Sequence, residues 1–164
     1  MRRVHLIFLF FIGGFLLQGC GEEAEMAVEK GPAPDFTVQL FDGGSFRLGD
    51  HKGKPIFINF YASWCIPCGG EVGDLEKVYK ELTKEKVAFI GVAIQDTETK
   101  ARNFVKKHKL TYPTSIDKTG AIRRAYGVYA MPVSFFVDKN GIISRIHAGG
   151  LTEGILKNEL DTFL

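Results

Sequence analysis

Cys65 and Cys68 are the residues of this chain whose type and spacing could do chemistry. They lie in the sequence Trp-Cys-Ile-Pro-Cys, at residues 64–68, directly after a mostly apolar run that is rich in strand-forming residues. A spacing of two residues lets both sulfurs lie within bonding distance across the first turn of a helix. A Cys-x-x-Cys pair at a junction between a strand and a helix indicates thiol–disulfide exchange.

The position of the pair at the start of a helix gives the two sulfurs different roles. A helix N-terminus carries about half a positive charge, which favours a thiolate over a thiol. Because the thiolate is the nucleophile, we expect a lowered pKa for Cys65, which attacks, while Cys68 resolves the mixed disulfide. Pro67 is compatible with the first turn, where its missing N–H is not needed. Trp64 is expected to shield the disulfide and contact the partner, or simply to pack over the sheet edge.

Strands and helices alternate around the cysteines and predict an α/β fold, a central mixed β-sheet flanked by helices. Strands are predicted at residues 36–40, 45–48, 56–61, 87–94, 114–116, 132–137 and 141–148. Helices are predicted from the cysteines to about Thr83, over about residues 97–109, around 119–126, and from Thr152 onward. The last helix is expected to bury four apolar residues, Ile155, Leu156, Leu160 and Phe163.

The N-terminus is typical of a secretory signal. A short basic leader precedes an apolar run over residues 4–17, which is shorter than the about 20 residues of a membrane-spanning helix. Residues 17–20, Leu-Gln-Gly-Cys, resemble the bacterial lipoprotein processing box, which implies that residues 1–19 are cleaved and that Cys20 carries lipid. The alternative is an uncleaved signal anchor. Residues 20–31 are interpreted as a flexible tether, and residues 32–164 as one domain.

Cysteine count and charge narrow the function further. The chain has three cysteines, and lipid on Cys20 would leave Cys65 and Cys68 as an even pair. If Arg2 and Arg3 are removed with the signal, the number of Lys+Arg falls from 21 to 19 and equals the 19 Asp+Glu. The near-neutral net charge of the mature chain argues against a nucleic-acid partner. No cofactor or metal is expected, since the spacing of the histidines at 51, 108 and 147 is not that of metal ligands. A monomer is expected.

Three stretches together carry a family resemblance: residues 33–36 (Ala-Pro-Asp-Phe), 53–55 (Gly-Lys-Pro) and 59–68. They resemble the thioredoxin superfamily, and within it the membrane-tethered TlpA/ResA group of bacterial thiol–disulfide oxidoreductases. The resemblance covers residues 32–164 and implies a thioredoxin-like fold with an N-terminal β-hairpin and a central insertion at about residues 95–126. It implies an extracytoplasmic reductant of disulfides in exported proteins, apocytochromes c among the candidates, that receives electrons from a membrane thiol reductase.

The resemblance also implies roles for four further positions. The Met131–Pro132 bond is expected to be cis, which exposes the Met131 backbone for pairing with an extended substrate segment and places Pro132 as the substrate-side wall beside Cys65. Pro67 and Trp64 complete the expected substrate-binding set. Glu71 would accept the proton of Cys68 or raise the thiol pKa values by its charge. Alternatively, it is a solvated glutamate that stabilises the helix through its dipole. Asn59 stands where ordinary thioredoxins hold a buried aspartate, and an amide cannot act as a base.

Three glycines depart from the pattern of the TlpA/ResA group, and other functions of a cysteine pair have to be compared with disulfide exchange. Gly69 and Gly70 replace a basic pair, so Cys65 is expected to be less acidic than it would be beside those positive charges. Gly73 replaces a proline that the group often has. A peroxiredoxin is excluded, because it needs Thr or Ser where this chain has Ala62. A Sco-like copper-binding module using the same cysteines is the alternative function, although its cysteine spacing is one residue longer. A purely structural disulfide would contribute little, since the loop it closes is so short.

Overall fold

The computed structural model describes residues 30–82 and 86–162. The predicted signal peptide, the lipidation site at Cys20 and most of the tether lie outside these ranges, as does Phe163. No helix in the described part of the chain is long and apolar enough to cross a membrane.

A five-stranded mixed sheet forms the centre of the domain, in the order β5-β4-β3-β6-β7. Its strands are β3 (Ile56–Tyr61), β4 (Ala88–Ala93), β5 (Thr114–Ile116), β6 (Val133–Val137) and β7 (Ile143–Ala148). Strand β3 pairs in parallel with β4 and antiparallel with β6. Every residue of β3, β4 and β6 is buried, as expected for strands covered on both faces. The remaining strands, β1 (Thr37–Gln39) and β2 (Ser45–Arg47), form the predicted N-terminal hairpin.

Helices and hairpin cover the two faces of the sheet. The helices are α1 (Ile66–Glu81), α2 (Glu98–His108), α3 (Ala121–Ala125) and α4 (Glu153–Asp161). On one face, Leu75 of α1, Phe104 of α2 and Leu156 of α4 pack in a core cluster that also contains both cysteines. On the other face, Phe36, just before the hairpin, and Phe46, within it, pack with Ile122 of α3. The α/β thioredoxin-like fold is therefore confirmed, and α2, β5 and α3 fall in the predicted insertion.

Element bounds differ from the predicted ones by a few residues. The strand predicted at 36–40 pairs as a ladder only over β1. At Leu40 the hairpin turns, with the N–H of Leu40 donating to the carbonyl oxygen of Gly44 at 2.8 Å, and Leu40 forms an isolated bridge with Ser115 of β5. The first helix ends at Glu81, before the predicted Thr83, and the strand predicted from residue 141 begins at Ile143.

The C-terminal helix begins as predicted but does not bury all the residues expected. The hydroxyl of Thr152 accepts the amide of Ile155 at 3.4 Å, so Thr152 caps α4. Leu156 and Leu160 are buried, four residues apart on one helix face. The prediction for Ile155 was wrong: it is 39% exposed, since one residue from Leu156 is a rotation of about 100° away from that face.

Candidate active site

The two cysteines form a disulfide at the start of α1, with Cα atoms 5.3 Å apart. Cys65 is the N-cap residue, in extended conformation, and Cys68 lies inside the first turn. Cys65 remains 8% exposed, whereas Cys68 is fully buried. Cys65 also lines a surface cavity that Cys68 does not line, so Cys65 is the cysteine that an incoming partner can approach.

A backbone amide of the first helical turn already points at the outer sulfur. The N–H of Cys68 donates to Sγ of Cys65 at 3.2 Å. It is one of the amides that a helix N-terminus leaves without a backbone partner. After reduction, the same amide and the helix dipole would stabilise a thiolate on Cys65.

Glu71 is buried behind the disulfide. It lies in the second turn of α1 and is only 3% exposed, so the interpretation of Glu71 as a solvated helix residue was wrong. The helical period turns Glu71 to the same side as Cys68, three residues before it, and this places the two side chains about 5–6 Å apart at Cβ. Burial raises the pKa of Glu71 to about 7, against the opposing effect of its hydrogen bonds.

Two donors hold the Glu71 carboxylate. Oε1 accepts the side-chain amide of Asn59 at 2.9 Å, and Oε2 accepts the backbone N–H of Leu151 at 2.8 Å. The same amide of Asn59 donates to the hydroxyl of Ser134 at 3.1 Å. The sequence pointed to Asn59 and Glu71 separately, but nothing in it indicated that strand β3 places Asn59 directly against the carboxylate.

The loop between β7 and α4 closes over this carboxylate. A Cβ added at Gly150 would lie 4.0 Å from Oε2 of Glu71 and 3.9 Å from the carbonyl oxygen of Pro67. The adjacent N–H of Gly149 donates to the carbonyl oxygen of Pro132 at 2.9 Å. The loop therefore joins the Pro132 segment to the start of α1.

The Met131–Pro132 peptide bond is cis, as the resemblance implied. Met131 is partly buried and packs against the core cluster that holds Cys65 and Cys68. Pro132 is buried directly before strand β6.

Two large apolar side chains flank the outer sulfur. Trp64 is 58% exposed and Ile66 is 88% exposed. The indole N–H of Trp64 donates to the carbonyl oxygen of Gln95 at 3.0 Å, which ties Trp64 to the loop after β4. A carboxylate oxygen of Asp96, in that loop, accepts the N–H of Ser63 at 2.7 Å. The active-site loop is therefore anchored to the start of the insertion.

A cavity of about 550 Å³ opens between the start of α1 and helix α2. It is lined by Trp64 and Cys65 on one side and by residues of α2 on the other, among them Phe104 and His108. From the sequence, His108 was considered only as a metal ligand, and nothing in the sequence associated helix α2 with the cysteines. In residues 30–82 and 86–162, no group of three or more His, Cys, Asp or Glu side chains could hold a metal ion.

A family model, described as the AhpC/TSA family, matches residues 30–146. The chain belongs to this family. It is 35% identical over 165 residues to the thiol-disulfide oxidoreductase ResA of Bacillus cereus (strain ATCC 10987 / NRS 248), covering 99% of this chain and 92% of that protein. It is 32% identical over 163 residues to ResA of Geobacillus thermodenitrificans, covering 99% of this chain and 94% of that protein.

Solved structures agree with the fold. A thiol:disulfide interchange protein of the thioredoxin family from Chlorobium tepidum matches with a TM-score of 0.75 and 27% identity, over 83% of this chain and 97% of that one. The exposed lipoprotein thioredoxin Etrx1 of Streptococcus pneumoniae matches with a TM-score of 0.70 and 29% identity, over 79% of this chain and 99% of that one. With its Cys65–Cys68 disulfide at the start of α1, this AhpC/TSA family member is an enzyme of the thiol–disulfide oxidoreductase class.

Proposed function

We propose that this protein reduces disulfides in exported proteins, acting outside the cytoplasm through a cycle between the Cys65/Cys68 dithiol and its disulfide. The two cysteines differ in exposure, 8% for Cys65 against 0% for Cys68, and the proposed chemistry depends on this observation. An accessible nucleophile and a protected resolving thiol are what a two-step exchange requires.

The cycle begins with the Cys65 thiolate. It attacks one sulfur of the substrate disulfide, whose S–S bond breaks as a mixed disulfide forms, and the released substrate sulfur takes up a proton. The Cys68 thiol then loses its proton and attacks Sγ of Cys65. This closes the intramolecular disulfide and releases the second substrate sulfur as a thiol. Two electrons and two protons have then passed to the substrate, and a membrane thiol reductase would return both.

Glu71 is the proposed proton acceptor for Cys68. Its carboxylate lies one helical turn beyond Cys68, and its raised pKa of about 7 suits proton exchange near neutral pH. Asn59 and the Leu151 amide hold the carboxylate in place, and Asn59 has no basic group with which to replace it. Trp64, Pro67, Met131 and Pro132 are proposed to contact the substrate around Cys65.

Membrane attachment through lipid on Cys20 is part of the same proposal. The sequence Leu-Gln-Gly-Cys at residues 17–20 supports it, as does the similarity to Etrx1, which is described as an exposed lipoprotein. Eleven tether residues, 21–31, would reach at most about 36–40 Å when fully extended, which keeps the domain close to the membrane surface. Apocytochromes c remain one proposed substrate among several.

A redox titration of the full chain tests the proposed direction of electron flow. Residues 66 and 67, Ile-Pro, lack the histidine of strongly oxidising relatives, so we expect a midpoint close to that of thioredoxin, about −270 mV. A midpoint near that of the strong periplasmic oxidants, about −120 mV, would contradict a reducing role.

A further inference from the structure

The surface around Trp64 carries two depressions that the exchange chemistry leaves unexplained. The first is the cavity of about 550 Å³ between the start of α1 and helix α2. The second, of about 590 Å³, lies among the loops that follow β4 and β5. Trp64 and Lys100 line both, so the two depressions adjoin and form one groove, called here the α2 groove.

The first half of the α2 groove is basic. Lys100 and Lys107 both line it, and seven residues of helix place them on the same face of α2. Both are exposed, and neither forms an ion pair within residues 30–82 and 86–162. No acidic residue of the described chain lines this half. Two lysines without an ion pair in the described residues therefore line the same cavity as the nucleophilic cysteine.

The second half adds further positive charge. Besides Lys100, the cations that line it are Lys118, Arg123 and Arg124. Its two carboxylates already accept backbone amides: Asp96 from Ser63 and Thr97 at 2.7 Å each, and Asp117 from Arg123 at 2.8 Å. These carboxylates keep their negative charge, and Lys118 forms an ion pair with Glu98 at 2.7 Å. The five cations that line the two halves still outnumber the two carboxylates, so the groove is positive overall.

Apolar groups interrupt the charged surface next to the sulfur. Trp64 and Ile66 are exposed beside Cys65, and the buried ring of Phe104 lies at the α2 wall. A partner that fits this surface needs an apolar contact near its reacting sulfur and negative charge on either side.

We propose that the α2 groove recognises acidic residues that flank the disulfide of the substrate protein. This inference rests on the proposed reductase function and adds to it the chemical class of the substrate segment. The carboxylates of such a segment pair with Lys100 and Lys107 while Cys65 attacks the adjacent sulfur. Complementary charge raises the encounter rate and orients the segment, and both effects weaken as salt screens the charges.

Two synthetic peptides with the same disulfide loop test this directly. One carries Asp and Glu at the positions that flank its cysteines, and the other carries Asn and Gln there. The second-order rate constant for reduction of each by the reduced full chain is measured at low and at high salt. We expect the wild-type protein to reduce the acidic peptide about three- to tenfold faster than the neutral one at low salt, from two exposed charge pairs. At about 0.5 M salt the ratio should fall towards one.

The variant Lys100→Gln/Lys107→Gln should lose the same preference at low salt. Lys139→Gln is the matched control, because Lys139 is an exposed lysine in the turn after β6, at the opposite end of β3 from the cysteines. This control should keep the wild-type ratio.

Several outcomes would overturn the inference. Equal wild-type rates for the two peptides, or a preference that survives in the double variant or at high salt, would show that the groove does not recognise acidic residues beside the disulfide. The proposed reductase function would be unaffected by that result. A charge dependence seen only when an acidic dithiol peptide reduces the oxidised protein would assign the groove to the electron donor instead. Failure to reduce either peptide would overturn the proposed function along with the inference.

Discussion

The three residues of the redox site differ in their access to solvent. Cys65 keeps some exposure, Cys68 has none, and the Glu71 carboxylate is buried behind them. Burial of an acid favours its neutral form, which explains why the pKa of Glu71 rises to about 7 although two donors hold its charged form. This carboxyl group can therefore exchange a proton near neutral pH, at the buried side of the disulfide.

The raised pKa of Glu71 predicts a specific dependence of stability on pH. Between its ordinary pKa of 4.5 and about 7, the folded protein holds a proton on Glu71 that the unfolded chain has released. The stabilisation is therefore complete below about pH 4.5 and is lost as pH rises through about 7. Relative to Glu71→Gln, the oxidised wild-type protein should lose roughly 2–4 kcal/mol of unfolding free energy across this window.

Urea titrations of both oxidised proteins at several pH values measure this difference. Asp161→Asn, which changes an exposed carboxylate at the end of α4, serves as the control. A difference between wild type and Glu71→Gln that stays constant from pH 4.5 to 7.5 would contradict the raised pKa.

At the scale of elements, helix α1 contains a glycine that lowers its stability and that the redox chemistry does not require. Gly73 lies in the helix interior, and a Cβ added there would meet no atom within 4 Å. Glycine in such a position loses more conformational entropy on folding than alanine. We expect Gly73→Ala to raise the free energy of unfolding by about 0.5–1 kcal/mol, measured by urea denaturation of the oxidised protein.

Gly91 is the matched contrast for this substitution. In strand β4, a Cβ at Gly91 would lie 3.0 Å from the ring of Tyr112 and 3.3 Å from both Thr114 and Tyr61. Gly91→Ala should therefore destabilise the fold, by about 1–3 kcal/mol. Destabilisation by Gly73→Ala would show that position 73 is constrained in a way the open space around it does not suggest.

The elements also show which features of the fold and the site can be predicted from the sequence and which cannot. The run Ile56–Tyr61 predicts its own strand because five of its six residues are apolar, so the local pattern is sufficient; the polar contacts of Asn59 within it could not be predicted in this way. The burial of Glu71 was not predictable, because it depends on a loop that comes eighty residues later and donates the Leu151 amide. The α2 groove was missed for a similar reason, since the contact between α2 and the start of α1 joins distant parts of the chain.

At the scale of the whole molecule, the catalytic domain and its membrane attachment are separate predictions. The domain is described from residue 30 onward, whereas attachment depends on Cys20 and the residues before it. Mass spectrometry of the mature protein tests the attachment. We expect a chain that begins at Cys20 and carries the added mass of lipid. An intact signal segment, or an unmodified Cys20, would contradict this while leaving the redox chemistry unaffected.

Trapping the mixed disulfide distinguishes the proposed nucleophile, Cys65, from the proposed resolving thiol, Cys68. Each single variant, Cys65→Ser and Cys68→Ser, is reduced and then incubated with a disulfide-bonded peptide. The adduct is measured by mass spectrometry. Because Cys65 keeps some exposure and Cys68 has none, Cys68→Ser should accumulate a stable adduct on Cys65, and Cys65→Ser should form at least tenfold less, in proportion to the thiolate that a partner can reach. A stable adduct on Cys68 in Cys65→Ser, with none on Cys65 in Cys68→Ser, would contradict the account.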